Sequence, residues 1–119
     1  MQRVFQQSWL IPGTLAANHT FTWTLPHNAQ LLHVSLVNSS ANAGSLKIGN
    51  SSDDDAYLAA ENFGVSGTPV EVSTPAGFDG ATAGGAYPHP LDGIVMSMTV
   101  TDHASHMANV CVVLTWSEG

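Results

Sequence analysis

Residues 94–101, IVMSMTVT, and residues 110–116, VCVVLTW, alternate between apolar and other side chains, with a short polar loop between the two runs. Ile94, Met96, Met98 and Val100 fall on one side of the first run, and Val95, Ser97, Thr99 and Thr101 on the other. Val110, Val112, Leu114 and Trp116 alternate in the same way with Cys111, Val113 and Thr115. Period two predicts two β-strands, each with one face to bury. A lone hairpin cannot bury enough surface to be stable, so the rest of the chain has to supply a second sheet.

Working outward, residues 68–73 read as a short strand with Val70 and Val72 inward and Glu71 outward. Residues 75–90 form a long loop of Gly, Ala, Pro and small polar residues, interrupted by Phe78, Tyr87 and His89. Loops of this length in compact domains are usually functional or mobile, so the loop is a candidate contact surface. Towards the N-terminus, residues 19–25 are the cleanest strand, with Phe21, Trp23 and Leu25 opposite Thr20, Thr22 and Thr24, and Pro26 ends it. Residues 30–37 form the next strand, with Leu32, Val34 and Leu36 inward and His33 on the opposite face. The two are expected to pair as a hairpin, and residues 93–116 as another. Residues 38–44 are a polar turn, and residues 45–49 a strand with Leu46 and Ile48 inward and Lys47 outward.

Two segments leave alternatives open. Asp53, Asp54 and Asp55 precede good helix formers, and Gly64 stands at a stop position, which suits one or two helical turns near residues 55–63. A strand through Ala56 to Leu58 followed by a single turn fits as well. Residues 1–13 carry Val4, Phe5, Trp9, Leu10 and Ile11 among glutamines: either a first strand packed on the chain's own sandwich, or an extended arm reaching a neighbouring subunit. Trp9 separates the two, because an arm needs it uncovered.

Seven or eight strands, almost no helix and no repeat at a fixed period predict an all-β fold: an antiparallel two-sheet β-sandwich, jelly-roll-like, as a single domain over residues 1–119. The inward set named above, from Phe21 to Trp116, amounts to an independent core, each member contributing roughly 1.5–3 kcal/mol gross when fully buried. Hydrophobic residues make up 44% of the chain, enough for such a core.

Charged residues are only 9% of the chain, well under the roughly 25% of an average globular protein. A polar but uncharged exterior suits broad contact with other proteins, where each buried charge would need a partner. Only Arg3 and Lys47 are basic against nine acids, a net charge of −7. Direct nucleic-acid binding and a polybasic membrane patch are therefore not expected. Cys111 is the single cysteine, read as a small buried hydrophobe, and no intrachain disulfide can form. No signal-peptide pattern or membrane-length apolar run occurs, so synthesis in the cytoplasm is expected, and the sequons at Asn18, Asn38 and Asn50 are read as loop residues.

Catalytic and metal chemistry finds little support. No metal and no cofactor is expected: His103 and His106 are three apart, in a loop without cysteine or a third histidine. The run Asp53–Asp55 fails as an EF-hand, since the sixth residue from Asp53 is Leu58 and the twelfth Gly64, where Gly and Glu are required. There is no G-x-S-x-G elbow or phosphate loop, and Glu61, Glu71 and Glu118 stand in ordinary contexts, so no enzyme is expected.

The order of FTWTLP at residues 21–26, AGSLKIG at 43–49, DDDAYL at 53–58, GTPVE at 67–71 and VVLTW at 112–116 resembles the small β-sandwich virion proteins of tailed bacteriophages, most of all head decoration, or cement, proteins. The resemblance implies a non-catalytic protein on the outside of an assembled capsid, bound to the major capsid protein, commonly as a trimer at three-fold positions. It transfers no binding residue, so Phe5, Trp9, Tyr87 and His89 are the contact candidates from residue chemistry alone. The alternative of another class is a glycan- or receptor-binding module of a tail or fibre, using exposed faces of Trp9, Trp23 or Trp116. A third, an enzyme with spatially assembled carboxylates, requires two acids in one cleft with perturbed protonation.

Overall fold

The computed structural model describes residues 3–25, 27–78 and 86–118. Pro26, expected to end a strand, and residues 79–85 of the long loop lie outside them. Eight strands form: β1 Val4–Thr14, β2 His19–Thr24, β3 Ala29–Val37, β4 Ser45–Asn50, β5 Leu58–Asn62, β6 Val70–Val72, β7 Val95–Thr101 and β8 Ala108–Glu118. They make two four-stranded sheets, the first in the order β1-β8-β3-β6 and the second β2-β7-β4-β5. All strand pairs within the sheets are antiparallel. The pairing of β1 with β8, β2 with β7, β3 with β6 and β4 with β5 is a jelly roll, and the expected all-β sandwich is the fold that forms.

Both expected hairpins are replaced. β7 and β8 lie in different sheets, as do β2 and β3. Residues 102–107 carry the chain across the end of the sandwich, with Met107 fully buried beneath them. Alternation reports which face of a strand is buried and is silent on its neighbour. The apolar sides of β7 and β8 therefore meet across the core and not side by side. Where helical turns were an option, residues 58–62 form β5, and the helical turn among the described residues is a short 3-10 piece at Pro75–Gly77.

The alternation itself holds with one slip. Met96, Met98, Val100, Val110, Val112, Leu114 and Trp116 are all 0–1% exposed. In β3, however, Leu31 is fully buried while Leu32, expected inward, is half-buried. The register between β3 and β8 shifts between Leu31 and His33. A bulge adds one residue there, so both Leu31 before it and Val34 after it point inward. Cys111 is a further correction: it is half-buried and lies on the outward side of β8, between the inward Val110 and Val112.

Loop residues complete the core. Leu15, Tyr57, Phe63, Phe78 and Met107 are each under 5% exposed. Asn38 is 1% exposed and fully used: its Nδ2 donates to the carbonyls of Asn42 and Gly64, and its Oδ1 accepts from Ser40 N–H, Ser40 Oγ–H and Ala108 N–H. One buried amide thus ties three loops together. Across the β7–β8 crossing, Asp102 accepts from His103 N–H, Met107 N–H and His106 Nδ1–H. Burial pushes the Asp102 carboxyl up, and these three donors outweigh it and hold it below the ordinary range.

Candidate interaction surface

β1 and β2 are the edge strands on one flank of the sandwich, and they face each other across it. Phe5, Gln7, Trp9 and Ile11 are the inward, half-buried positions of β1. Trp9 packs on Trp23 at 4.9 Å between ring centres and on Phe21 at 6.2 Å. Phe5 stacks on Trp116 at 6.3 Å and meets His27 edge-on at 5.8 Å. β1 is registered to β8 from Val4 opposite Ser117 to Ile11 opposite Val110. Trp9 is thus covered by its own domain. Arg3 fastens the start of the strand by donating to both carboxylate oxygens of Glu118, which holds that carboxyl below its usual range.

The four contact candidates do not converge. Phe5 and Trp9 close the β1/β2 flank, whereas residues 87–90 run along β3 on the opposite edge of the first sheet, where Leu31 N–H donates to the Pro88 carbonyl and Ala29 N–H to Pro90. Tyr87 is half-buried against Phe78 at 5.9 Å and donates its hydroxyl to the Ser73 carbonyl. His89 is exposed. With Trp116 fully buried and Trp9 and Trp23 packed on each other, the tryptophans present no open stacking platform.

The residues sequence reasoning missed are on the outward side of β1. Val4 is 67% exposed and Leu10 66%. The register sets Leu10 beside Cys111 and Val37, and Ser8 beside Val113 and Ser35. On its β1 side the outer face of the first sheet is therefore uncharged, with an apolar row from Leu10 to Val37 and no charged side chain in β1, while Glu71, 3.7 Å from His33, lies at the far β6 edge of the same face. The signal was present: Leu10 is out of phase with Phe5, Trp9 and Ile11. The two flanks also differ. Natural edges are blunted by charge, shortness or bulges. β6 has three residues with Glu71 at its centre, and β5 carries Glu61 and a positive φ at Ala60. The eleven-residue β1 has only Pro12 and a register shift between Ile11 and Thr14, both near its end.

No protein-family model matches the sequence, and no curated protein matches it. Among solved structures, a chain of the cyanophage Pam1 capsid asymmetric unit superposes with a TM-score of 0.61 at 18% identity, over 98% of this chain and 82% of that one. The two chains share a fold. Looser overlaps are found with a virus-like particle of the extra small virus of the giant freshwater prawn Macrobrachium rosenbergii (TM-score 0.43, 10% identity, 98% and 78% covered) and with the decameric BFDV capsid protein (0.35, 8%, 99% and 95%). The overlap with the cyanophage chain is close enough to define a common architecture.

The outer face of the second sheet is different in character. Thr22, Ser97 and Gly49 are neighbours across β2, β7 and β4. A Cβ at Gly49 would collide with the backbone of Asp53 and Asp54, so the 50–55 loop lies directly on that glycine. A cavity of about 460 Å³ opens there, lined by Thr22, Asn50, Ser51, Ser52, Asp53, Asp54, Val95 and Ser97. Lys47 Nζ lies 3.3 Å from an Asp54 carboxylate oxygen. Asp53, through a hydrogen bond and its charge, pushes the Asp55 carboxyl up. His103 and His106 spend their Nδ1 atoms within their own loop, on Ser105 N–H and Asp102 respectively. A second cavity, lined by His27, Asn28, Asp92 and Glu118, brings two acids together. Glu118 there is paired with Arg3 and depressed, the reverse of what a proton-donating acid needs.

Proposed function

We infer that this protein is a non-enzymatic virion structural protein that seats on the outer surface of a phage capsid and stabilises it. The observation that carries the reading is an uncharged patch: in a chain of net charge −7, the outward sides of the long edge strand β1 and of β8 beside it carry apolar and uncharged side chains. Burying such a surface against another protein strands no charge. The fold shared with a cyanophage capsid chain supports the same reading. The partner is the major capsid protein, the site is the β1 edge with Leu10, Val113 and Val37, and copies associate as trimers. The location is the capsid surface, reached from the host cytoplasm.

The test is addition of purified protein to heads lacking it, followed by sedimentation and image reconstruction. Saturable binding at a fixed copy number, with heads surviving a higher temperature once coated, is the expected result. Heads that neither bind the protein nor gain heat resistance overturn the reading. A specific signal on a glycan array, with no binding to heads, moves the protein to the tail or fibre class.

A further inference from the structure

We propose that β1 is a contact between two copies of this chain: the open edge of β1 in one copy pairs antiparallel with the same edge in a second, about a two-fold axis at Gln7. The inference goes beyond capsid binding and does not depend on it. The first observation is the phase of the backbone. Glu118 N–H donates to the Arg3 carbonyl, and on the far side of β8 Leu31 N–H donates away from it, to the Pro88 carbonyl. Leu31 stands opposite Trp116, and Trp116 opposite Phe5. Bonding alternates along an antiparallel pair, and both bonds set the same phase: Phe5, Gln7, Trp9 and Ile11 bond to β8, whereas the N–H and C=O groups of Val4, Gln6, Ser8 and Leu10 point out of the sheet. No strand among the described residues takes them. An edge of this kind is a template for another strand.

The second observation decides which strand. Residues 4–10 are Val, Phe, Gln, Gln, Ser, Trp and Leu, which read the same in kind from either end: aliphatic, aromatic, polar, then Gln7 at the centre. Run antiparallel against itself about Gln7, the segment sets Val4 beside Leu10 of the second copy, Phe5 beside Trp9 and Gln6 beside Ser8. Val4, Gln6, Ser8 and Leu10 then form the closely spaced, doubly bonded pairs, so every group left open above finds a partner, about eight bonds in all. Val4 and Leu10, at 67% and 66% the most exposed large hydrophobic residues described, cover each other twice. A slip of two residues would set Val4 beside Ser8 or Leu10 beside Gln6 and lose the match. Pro12, which has no N–H, falls beyond the paired stretch. Charge does not oppose the contact: Arg3 at the start of the strand is 2.6 Å from Glu118 within its own chain, so no free charge of either sign meets its like. The flank is also the half-open one, since Phe5, Trp9, Phe21 and Trp23 are half-buried while inward residues of the central strands, such as Met96 and Val112, are closed. The contact is two-fold and closes on itself, separate from the three-fold association proposed above, and it leaves the outward Val113 and Val37 free. Seven paired residues make a small interface, so the pairing depends on concentration.

The experiment is sedimentation of the full chain without heads over a range of concentrations, so its outcome is independent of the capsid reading, joined to disulfide trapping of the register. The sedimenting mass should double reversibly as concentration rises. Val4→Lys, at an exposed position, should melt as the parent when dilute and lose the doubling, because it sets a charge against Leu10 of the second copy. For the register, Val4→Cys and Leu10→Cys are made separately, each with Cys111→Ser because Leu10 adjoins Cys111 in the sheet. Doubly bonded neighbours stand about 5.5 Å apart at Cα, within disulfide reach. Mixed and oxidised, the two variants should give a covalent pair on a non-reducing gel. Each alone should give at least about tenfold less, since like residues would lie about 20 Å apart along the paired strands. A mass that does not double, doubling that survives Val4→Lys, or cross-linking of either variant alone as strong as in the mixture overturns the proposal.

Discussion

Trp9→Ala is the substitution that most directly tests how β1 is held. Truncating a fully buried Trp costs about 3–5 kcal/mol. Trp9 is half-buried, which brings the burial part to roughly 1.5–2.5 kcal/mol on the same scale. Its rings lie 4.9 Å from Trp23 and 6.2 Å from Phe21, and aromatic pairs at such distances add about 0.5–1.5 kcal/mol. Because part of that overlaps with burial, about 2–3 kcal/mol is the expected total, or a fall of roughly 6–12 °C in melting temperature for a domain of this size. Leu10→Ala is the matched control on the other side of the same strand. At 66% exposure it should change stability by no more than about 0.5 kcal/mol while weakening attachment to heads. Urea unfolding followed by Trp fluorescence and circular dichroism gives both stabilities, and head binding gives the second readout. If Trp9→Ala unfolds within about 1 kcal/mol of the parent yet no longer binds heads, the ring faces a partner, and the packing of β1 on β2 described above is wrong.

Three further outcomes follow from other parts of the fold. Gly64→Ala should destabilise by about 3 kcal/mol or more in urea melts: an added Cβ would run into the Thr68 carbonyl and lie 2.8 Å from Val70 N, and backbone on every side cannot move aside as a side chain could. Asn38→Ala should cost about 2–4 kcal/mol by leaving buried carbonyls and N–H groups unpaired, and glycosylation at that sequon should occur only on unfolded chain. For Asp102 the folded carboxyl titrates below its unfolded value. Its stabilisation is therefore complete above about pH 4–5 and is lost as pH falls through the folded value. Asp102→Asn should flatten the parent's acid-side loss of stability in denaturant titrations between pH 6 and pH 2; an unchanged slope would show that the crossing loop does not depend on that carboxylate.

Which side of most strands is buried could be read from neighbouring residues alone, since side chains in a strand point to alternate faces whatever the strand pairs with. Thus Met96, Val112 and Trp116 were placed correctly, as was the two-sheet architecture that their apolar faces require. The low charge of the exterior was legible in composition, and a mistaken register in β3 followed only where a bulge interrupts the count. What packs on the contact candidates was not legible. Phe5 and Trp9 looked available because large aromatics attract attention, yet the rings that pack on them, His27 and Trp116 on Phe5 and Phe21 and Trp23 on Trp9, meet β1 only in space.

What tertiary structure alone decided is pairing and convergence. Whether β8 lies beside β7 or between β1 and β3 depends on which chain segments meet after long excursions, and a period of two is identical in either case. The same holds for the cavity. Asp53 and Ser97 belong to segments with no shared local pattern, and the sheet register of β7 against β4, with a side-chain-free Gly49 admitting the loop, is what brings them to one place. Local sterics fix a residue's side of the strand, whereas neighbours across a sheet are fixed by the packing of the whole chain.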